Sequence, residues 1–236
     1  MALNASKAKS NGGDFVEQEL LDPGVYPARV VQVIDFGLQA QRPFQGKDKP
    51  PVNEIGLTYE LSDEFMLDKD GNVDESKPRW VSENFPLHNL KADRAKSTIR
   101  YTAIDPNGIY GGDFSQLVDT PINVALVHNK KADKTYVNVA NVSSMRSKDA
   151  DKLPPLKNKA KVFDLDDPDL DVFAAFPDWI QTKIKSNLNY NGSPLQKLIN
   201  GEDAPKNSDK KQEKRDRKNS ETAEENSEES SDKIWD

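Results

Sequence analysis

Cysteine is absent from the 236 residues. That excludes disulfides and thiolate metal sites and fits a reducing compartment. Histidine is nearly absent: His88 and His128 stand far apart, each at the end of an expected strand, where a polar edge role is the ordinary one. No apolar run approaches the length of a membrane span. The stretch Met1 to Ser10 is polar, which is not the pattern of a secretory signal, so a cytoplasmic protein is expected. Enzyme signatures are missing as well. Gly108 to Gly112 lacks the Gly-Lys-Ser/Thr close of a phosphate-binding loop. Asp68 to Asn72 places its glycine two positions early for a calcium loop and lacks the bidentate glutamate, so a solvated hairpin turn is expected there. The aspartates of Asp164 to Asp171 are expected to cap the helix that follows them. No catalytic residue, metal ligand or cofactor is expected.

Apolar residues are present but unevenly spread. They recur every few positions up to about Asn200. After Gly201 only Ala204, Ala223, Ile234 and Trp235 are apolar, too little to offset the entropy of ordering, so residues 201–236 are expected to be a disordered tail. The net charge of −7 hides a segregation. Lys206 to Lys218 is mainly basic, and Glu221 to Asp232 is acidic with no basic residue. A basic block followed by an acidic one is an interaction-tail pattern.

The alternation and the breakers predict the body. Residues 1–20 read as a flexible arm with Asn11-Gly12-Gly13 as its breaker. Pro23-Gly24 turns into a first strand over Val25 to Phe36. Asn53 to Leu61 alternates as a second, with Ile55, Leu57, Tyr59 and Leu61 on its core face. Asp70-Gly71 marks a hairpin before a third strand over Arg79 to Leu87. Lys91 to Ile104 reads as a helix, with Ala92, Ala95, Ile99 and Ala103 at near-helical spacing and Asp105-Pro106-Asn107-Gly108 as its stop. Pro121 to His128 and Lys134 to Val142 complete five strands, joined by a lysine-bearing hairpin loop at 129–133. Three strands, a helix and two strands is the order of an OB-like five-stranded barrel, mainly β, with its helix between strands three and four. That barrel is expected over 21–150. A linker and short helical annex follow over 151–200, with Val172, Phe173, Phe176, Trp179 and Ile180 as the face that packs on the barrel.

Two loops carry cations. The first holds Arg42, Phe44, Lys47 and Lys49, and the last hairpin holds Lys130, Lys131 and Lys134. In OB-folds these two loops flank the ligand face. A cationic groove with aromatic platforms is what single-stranded nucleic acid needs, whereas ordinary solvated loops would look much the same. Arg79 is a further DNA-binding candidate beside Trp80, which shares a polar face with Ser82 and Asn84, and Tyr136 shares one with Asn138. Trp80 and Tyr136 are the stacking candidates, and Phe85 and Tyr59 are expected in the core. The helix cations Lys91, Arg94, Lys96 and Arg100 are expected to solvate it. Arg146, Lys148, Lys152, Lys157, Lys159 and Lys161 make the linker basic, as an extended phosphate track would require.

The acidic run ends Lys233-Ile234-Trp235-Asp236. This resembles the C-terminal tails of single-stranded DNA-binding proteins of bacteria and their phages, with the departure that Asp236 follows the aromatic. The body is similar to a family of bacteriophage single-stranded DNA-binding proteins. The similarity runs over Pro23-Gly24-Val25-Tyr26-Pro27-Ala28-Arg29, Pro50-Pro51 and Pro78-Arg79-Trp80-Val81-Ser82-Glu83. It continues through Val162-Phe163-Asp164-Leu165-Asp166-Asp167-Pro168 and Asn189-Tyr190-Asn191-Gly192-Ser193-Pro194. The resemblance implies coating of single-stranded DNA in phage replication or recombination, in the cytoplasm of an infected host. It also implies replication or recombination partners bound through Ile234, Trp235 and Asp236. It carries over no DNA-contacting residue. The alternative from another class is a phage structural or host-interaction protein that binds only proteins, as a net-negative chain would suit.

Overall fold

The alternating segments form long strands because each has one face to bury. In the computed structural model, which describes Val16 and residues 18–202, these are β1 (Gly24–Gln39), β2 (Val52–Leu67), β3 (Val73–Pro86), β4 (Pro121–Lys131) and β5 (Lys134–Ser144). A helix, α1 (Lys96–Ile104), and a 3-10 turn at Phe114–Leu117 lie between β3 and β4. The protein is mainly β, in a single sheet ordered β3-β2-β1-β4-β5, with all neighbours in that row antiparallel.

A sixth strand, β6 (Lys161–Phe163), departs from the expected five. It pairs in parallel with β1 at Gln32, Val33 and Ile34, alongside the half of β1 that β4 leaves free. β1 therefore has β2 on one edge and two successive partners on the other. Its register shifts between Val30 and Gln32 and again between Asp35 and Gly37, and such bulges bend a strand and increase its twist.

The sheet is not closed into a barrel. Among the described residues no ladder joins β3 to β5. Arg100 of α1 spans the opening instead. Its guanidinium donates to Glu83 on β3 through Nε (2.7 Å) and NH2 (3.2 Å), and to β5 at the Ala140 carbonyl (3.1 Å) and Asn141 Oδ1 (3.2 Å). Lys96 and the Tyr59 hydroxyl complete the contacts to Glu83, each at 2.7 Å. This corrects two expectations for the helix. It begins at Lys96 rather than Lys91, because Asn89 holds the preceding residues in turns through its side chain and its carbonyl. Its buried face is Ser97, Thr98, Arg100, Tyr101 and Ile104, while Ile99 is exposed and Arg100 is buried rather than solvating.

Two cores result. The inner one packs Val30, Leu57, Tyr59, Leu61, Ile122 and Val124 from the sheet against Tyr101, Phe114 and Leu117. The second lies on the opposite face of β1. There Ile34 and Phe36 meet Phe163 and the helices α3 (Leu170–Ala174), α4 (Asp178–Lys185) and α5 (Pro194–Ile199). A one-turn helix, α2 (Ser147–Ala150), begins the connection from β5. Asp169 caps α3 by accepting from the Asp171 and Val172 amides, as the acidic ramp suggested. Gln18 exchanges two hydrogen bonds with the Leu67 backbone and Leu21 is buried, so residues 18–21, part of which was expected as a flexible arm, join the fold. Among the described residues no helix is long and apolar enough to cross a membrane.

Candidate nucleic-acid interface

The outer face of β2 and β3 carries the small and polar positions of the alternation: Gly56, Thr58 and Glu60, then Trp80, Ser82 and Asn84. Nothing from the inner core covers them. The elbow between α3 and α4 stands over this face and leaves an open cleft of about 180 Å³. Gln32, Ile34 and Phe36 supply the β1 side. Phe176, Trp179 and Ile180 supply the annex side, and Lys161 of β6 stands at the junction. Although the chain is net negative, none of the side chains lining the cleft is acidic.

Trp80 is 40% exposed, and its position is fixed from behind. Its indole N–H donates to Glu60 Oε2 at 3.1 Å. Glu60 is itself buried and accepts three more hydrogen bonds from the linker: the Lys157 amide (2.7 Å), the Asn158 amide (3.3 Å) and Asn158 Nδ2 (2.7 Å). The linker after β5 is thus strapped to the sheet by one carboxylate that also orients the tryptophan. At its start the linker is held by Arg29, which donates to the Leu153 and Pro154 carbonyls and to Asp119. Lys157 is drawn onto the Glu75 carbonyl and over the Phe65 ring, so it is not a free phosphate contact.

Tyr136 is 47% exposed on the outer face of β5, opposite Asn129. The Arg100 bridge sets its relation to Trp80. β3 and β5 run in the same direction, Trp80 lies three residues before Glu83, and Tyr136 lies four before Ala140. The two aromatics thus lie on the two strands that Arg100 bridges, one on each side of the open seam. Tyr59 and Phe85 are buried, in agreement with the alternation. Arg79 has the opposite facing from Trp80. It is half-buried and does not line the cleft.

The two cationic loops do not meet. Arg42, Phe44, Lys47 and Lys49 are exposed beyond Gln39, at one end of β1. Phe44 and Lys47 close a tight turn with backbone bonds of 2.9 and 3.0 Å, and Lys49 covers the Phe44 ring at 4.7 Å. The β4–β5 hairpin lies at the other end, since its last rung with β1 is Gly24 to Leu126. Lys130, Lys131 and Lys134 belong to the strands themselves, which continue to a two-residue turn with Ala132 at φ 51°. The two groups lie beyond opposite ends of β1, a 16-residue strand that spans roughly 50 Å when straight. They flank a path across the sheet and do not form one pocket.

Trp179 is the residue that sequence reasoning missed as an accessible one. It is 58% exposed, whereas Phe173, Phe176, Ile180 and Ile184 are buried. Ile180 and Ile184, four apart, already define the buried stripe of α4, and the preceding position falls about 100° off it. Ile234, Trp235 and Asp236 lie outside the described residues.

Among the described residues no group of three His, Cys, Asp or Glu side chains is placed to hold a metal ion. What the face offers is aromatic surface, hydroxyls and separated cations. Compared with protein-family models and with curated proteins, the chain matches none.

Proposed function

We propose that this protein binds single-stranded DNA without sequence preference, on an OB-like sheet, and performs no catalysis of its own. The observation that carries the reading is Trp80. A large aromatic is held by a buried carboxylate on a polar face, with its ring accessible at the edge of a cleft free of acidic side chains. Stacking on such a platform tolerates every base, because every base has a π-face. Tyr136 across the seam is the second platform. Arg42, Lys47 and Lys49 at one end and Lys130, Lys131 and Lys134 at the other track phosphates along the path between them.

On this reading the protein coats exposed strands during phage replication or recombination in an infected host cell. Ile234 and Trp235, after the acidic run, anchor a replication or recombination protein, with Asp236 beside them. The order of strands and helix and the open seam at β3 and β5 fit an OB-like sheet whose closure is made by side chains.

Fluorescence anisotropy with labelled oligo-dT and with a duplex of equal length at low salt tests the reading. Single strands are expected to bind more tightly than duplex, and Trp80→Ala to weaken single-strand binding about tenfold, the loss of one stacked base. No single-strand binding by the unaltered chain would leave a protein-binding structural role in its place.

A further inference from the structure

We infer that the annex is part of the binding surface: Trp179 of α4 and Lys161 of β6 complete a subsite that takes one unpaired nucleotide against the outer face of the sheet. The inference rests on the single-strand reading above and adds to it a residue, a place and a ligand unit.

The wall that carries Trp179 is pre-formed. Asn187 accepts from the Leu38 amide at 3.0 Å, Lys183 pairs with Glu54, and Ile180 and Ile184 are buried beside Phe36. Holding both walls in place before binding removes an ordering cost from the ligand's side of the balance. Trp179 itself contributes little to that anchoring, since more than half of it is exposed. It lines the same cleft as Trp80, so two indoles border one opening.

The floor offers a hydrogen-bond donor. Gln32 Nε2 donates to Thr58 Oγ1 at 3.4 Å, and Thr58 and Ser82 share one bond at 3.0 Å. Each hydroxyl has a single proton. Whichever of the two donates, the other keeps its proton for an acceptor in the cleft. Every nucleobase presents acceptor atoms on an edge, so one donor helps seat a base without selecting among the four. Lys161 is held at the mouth by its backbone, whose rung with Gln32 fixes it to β1. Among the described residues it forms no ion pair. A phosphate beside the seated base is the charge it would meet. A base, a donor-seeking edge and an anion together describe a nucleotide unit of a single strand.

The test uses the full chain, oligo-dT and the same oligonucleotide carrying abasic positions. Unaltered protein is expected to bind the abasic strand less tightly. Trp179→Ala is expected to weaken oligo-dT binding about tenfold and to shrink that discrimination. Trp179→Phe should retain most of the affinity, while Trp179→Leu should not, because only an aromatic ring stacks. Lys161→Ala should weaken binding at low salt and lessen its salt dependence. Circular dichroism and thermal melting are expected to be unchanged for each variant, as the altered side chains are outside both cores. Trp179→Ala binding as tightly as the unaltered chain, with Trp80→Ala still impaired, would overturn the subsite and leave the proposed function standing. Rescue by leucine equal to that by phenylalanine would overturn stacking at this position. Failure of the unaltered chain to bind any single strand would remove the function and the subsite together.

Discussion

Arg100 meets the carboxylate of Glu83 side-on, Nε to Oε1 at 2.7 Å and NH2 to Oε2 at 3.2 Å, with both side chains almost wholly buried. The same guanidinium reaches the Ala140 carbonyl and the Asn141 side chain of β5. An ion pair thus stands where a closed barrel would have a ladder.

Removing one partner leaves the other charge uncompensated in the interior. Arg100→Met is expected to lower stability by about 3–5 kcal/mol in urea titration. Replacing both, Arg100→Met with Glu83→Gln, should recover a large part, since a neutral pair avoids the stranded charge. A loss under about 1 kcal/mol for the single change would mean the seam is held by its flanking strands instead.

The same carboxylate sets an acid limit. Burial alone would push Glu83 up, but hydrogen bonds from Arg100 and Lys96, with the Tyr59 hydroxyl, outweigh it and hold the group below its ordinary value of 4.5. A depressed folded-state pKa gives stability that is fully present above the unfolded value and is lost as pH falls through the folded one. Stability should therefore be flat for this group from neutral pH to about pH 5 and decline below 4.5. Glu83→Gln should flatten that decline in melts taken across the acid range. Asp35 has the opposite sign. Burial, with Asp164 and Asp166 nearby, raises it, so Asp35→Asn is expected to stabilise the protein at neutral pH and to lose that advantage in acid.

Gly56 lies under the ring of Phe36. A Cβ there would stand 2.7 Å from Phe36 Cε2 and 3.2 Å from Asn84 Oδ1. Gly56→Ala should displace the ring and cost about 1–3 kcal/mol, the range for overpacking. Because Phe36 borders the cleft, single-strand affinity should fall as well, in anisotropy measured below the melting transition.

How salt enters depends on which lysines meet phosphate. For single strands each neutralised phosphate adds about 0.7 to the slope of log affinity against log salt. Lys130→Ala, Lys131→Ala and Lys134→Ala should each reduce the slope by about that amount. Arg79→Ala should leave it unchanged, as this side chain has the opposite facing from Trp80 and does not line the cleft. A slope untouched by the hairpin lysines would move the phosphate path elsewhere.

Local alternation made most of the sheet readable. Tyr59 and Phe85 point inward, Trp80 and Tyr136 outward, and the helix falls between the third and fourth strands. What stayed hidden depends on partners distant in sequence. The buried face of α1 is chosen by Glu83, seventeen residues earlier, so an arginine and a tyrosine go in while Ile99 stays out. β6 is three residues long, too short for any periodicity, and exists because half of β1 lacks a neighbour. Trp179 looked like core because it sits among aromatics. Only the docking of α4 by Ile180 and Ile184 turns it outward. The β4–β5 hairpin extends beyond the expected strand end at His128, and its turn places Ala132 at positive φ, where glycine or asparagine would be the usual signal.

Because β1 has apolar side chains on both of its faces, the protein cannot be trimmed at the place its composition suggests. Pro154-Pro155 looks like a seam between modules. A fragment ending there would leave Ile34 and Phe36 without Phe163, Phe176 and Ile184, forfeiting about 1.5–3 kcal/mol for each large apolar side chain returned to water. It would also leave the Glu60 carboxylate without its linker partners and Trp80 without a fixed orientation. The smallest piece that keeps both cores runs through the end of α5, and a shorter one would misreport the DNA binding of its parent.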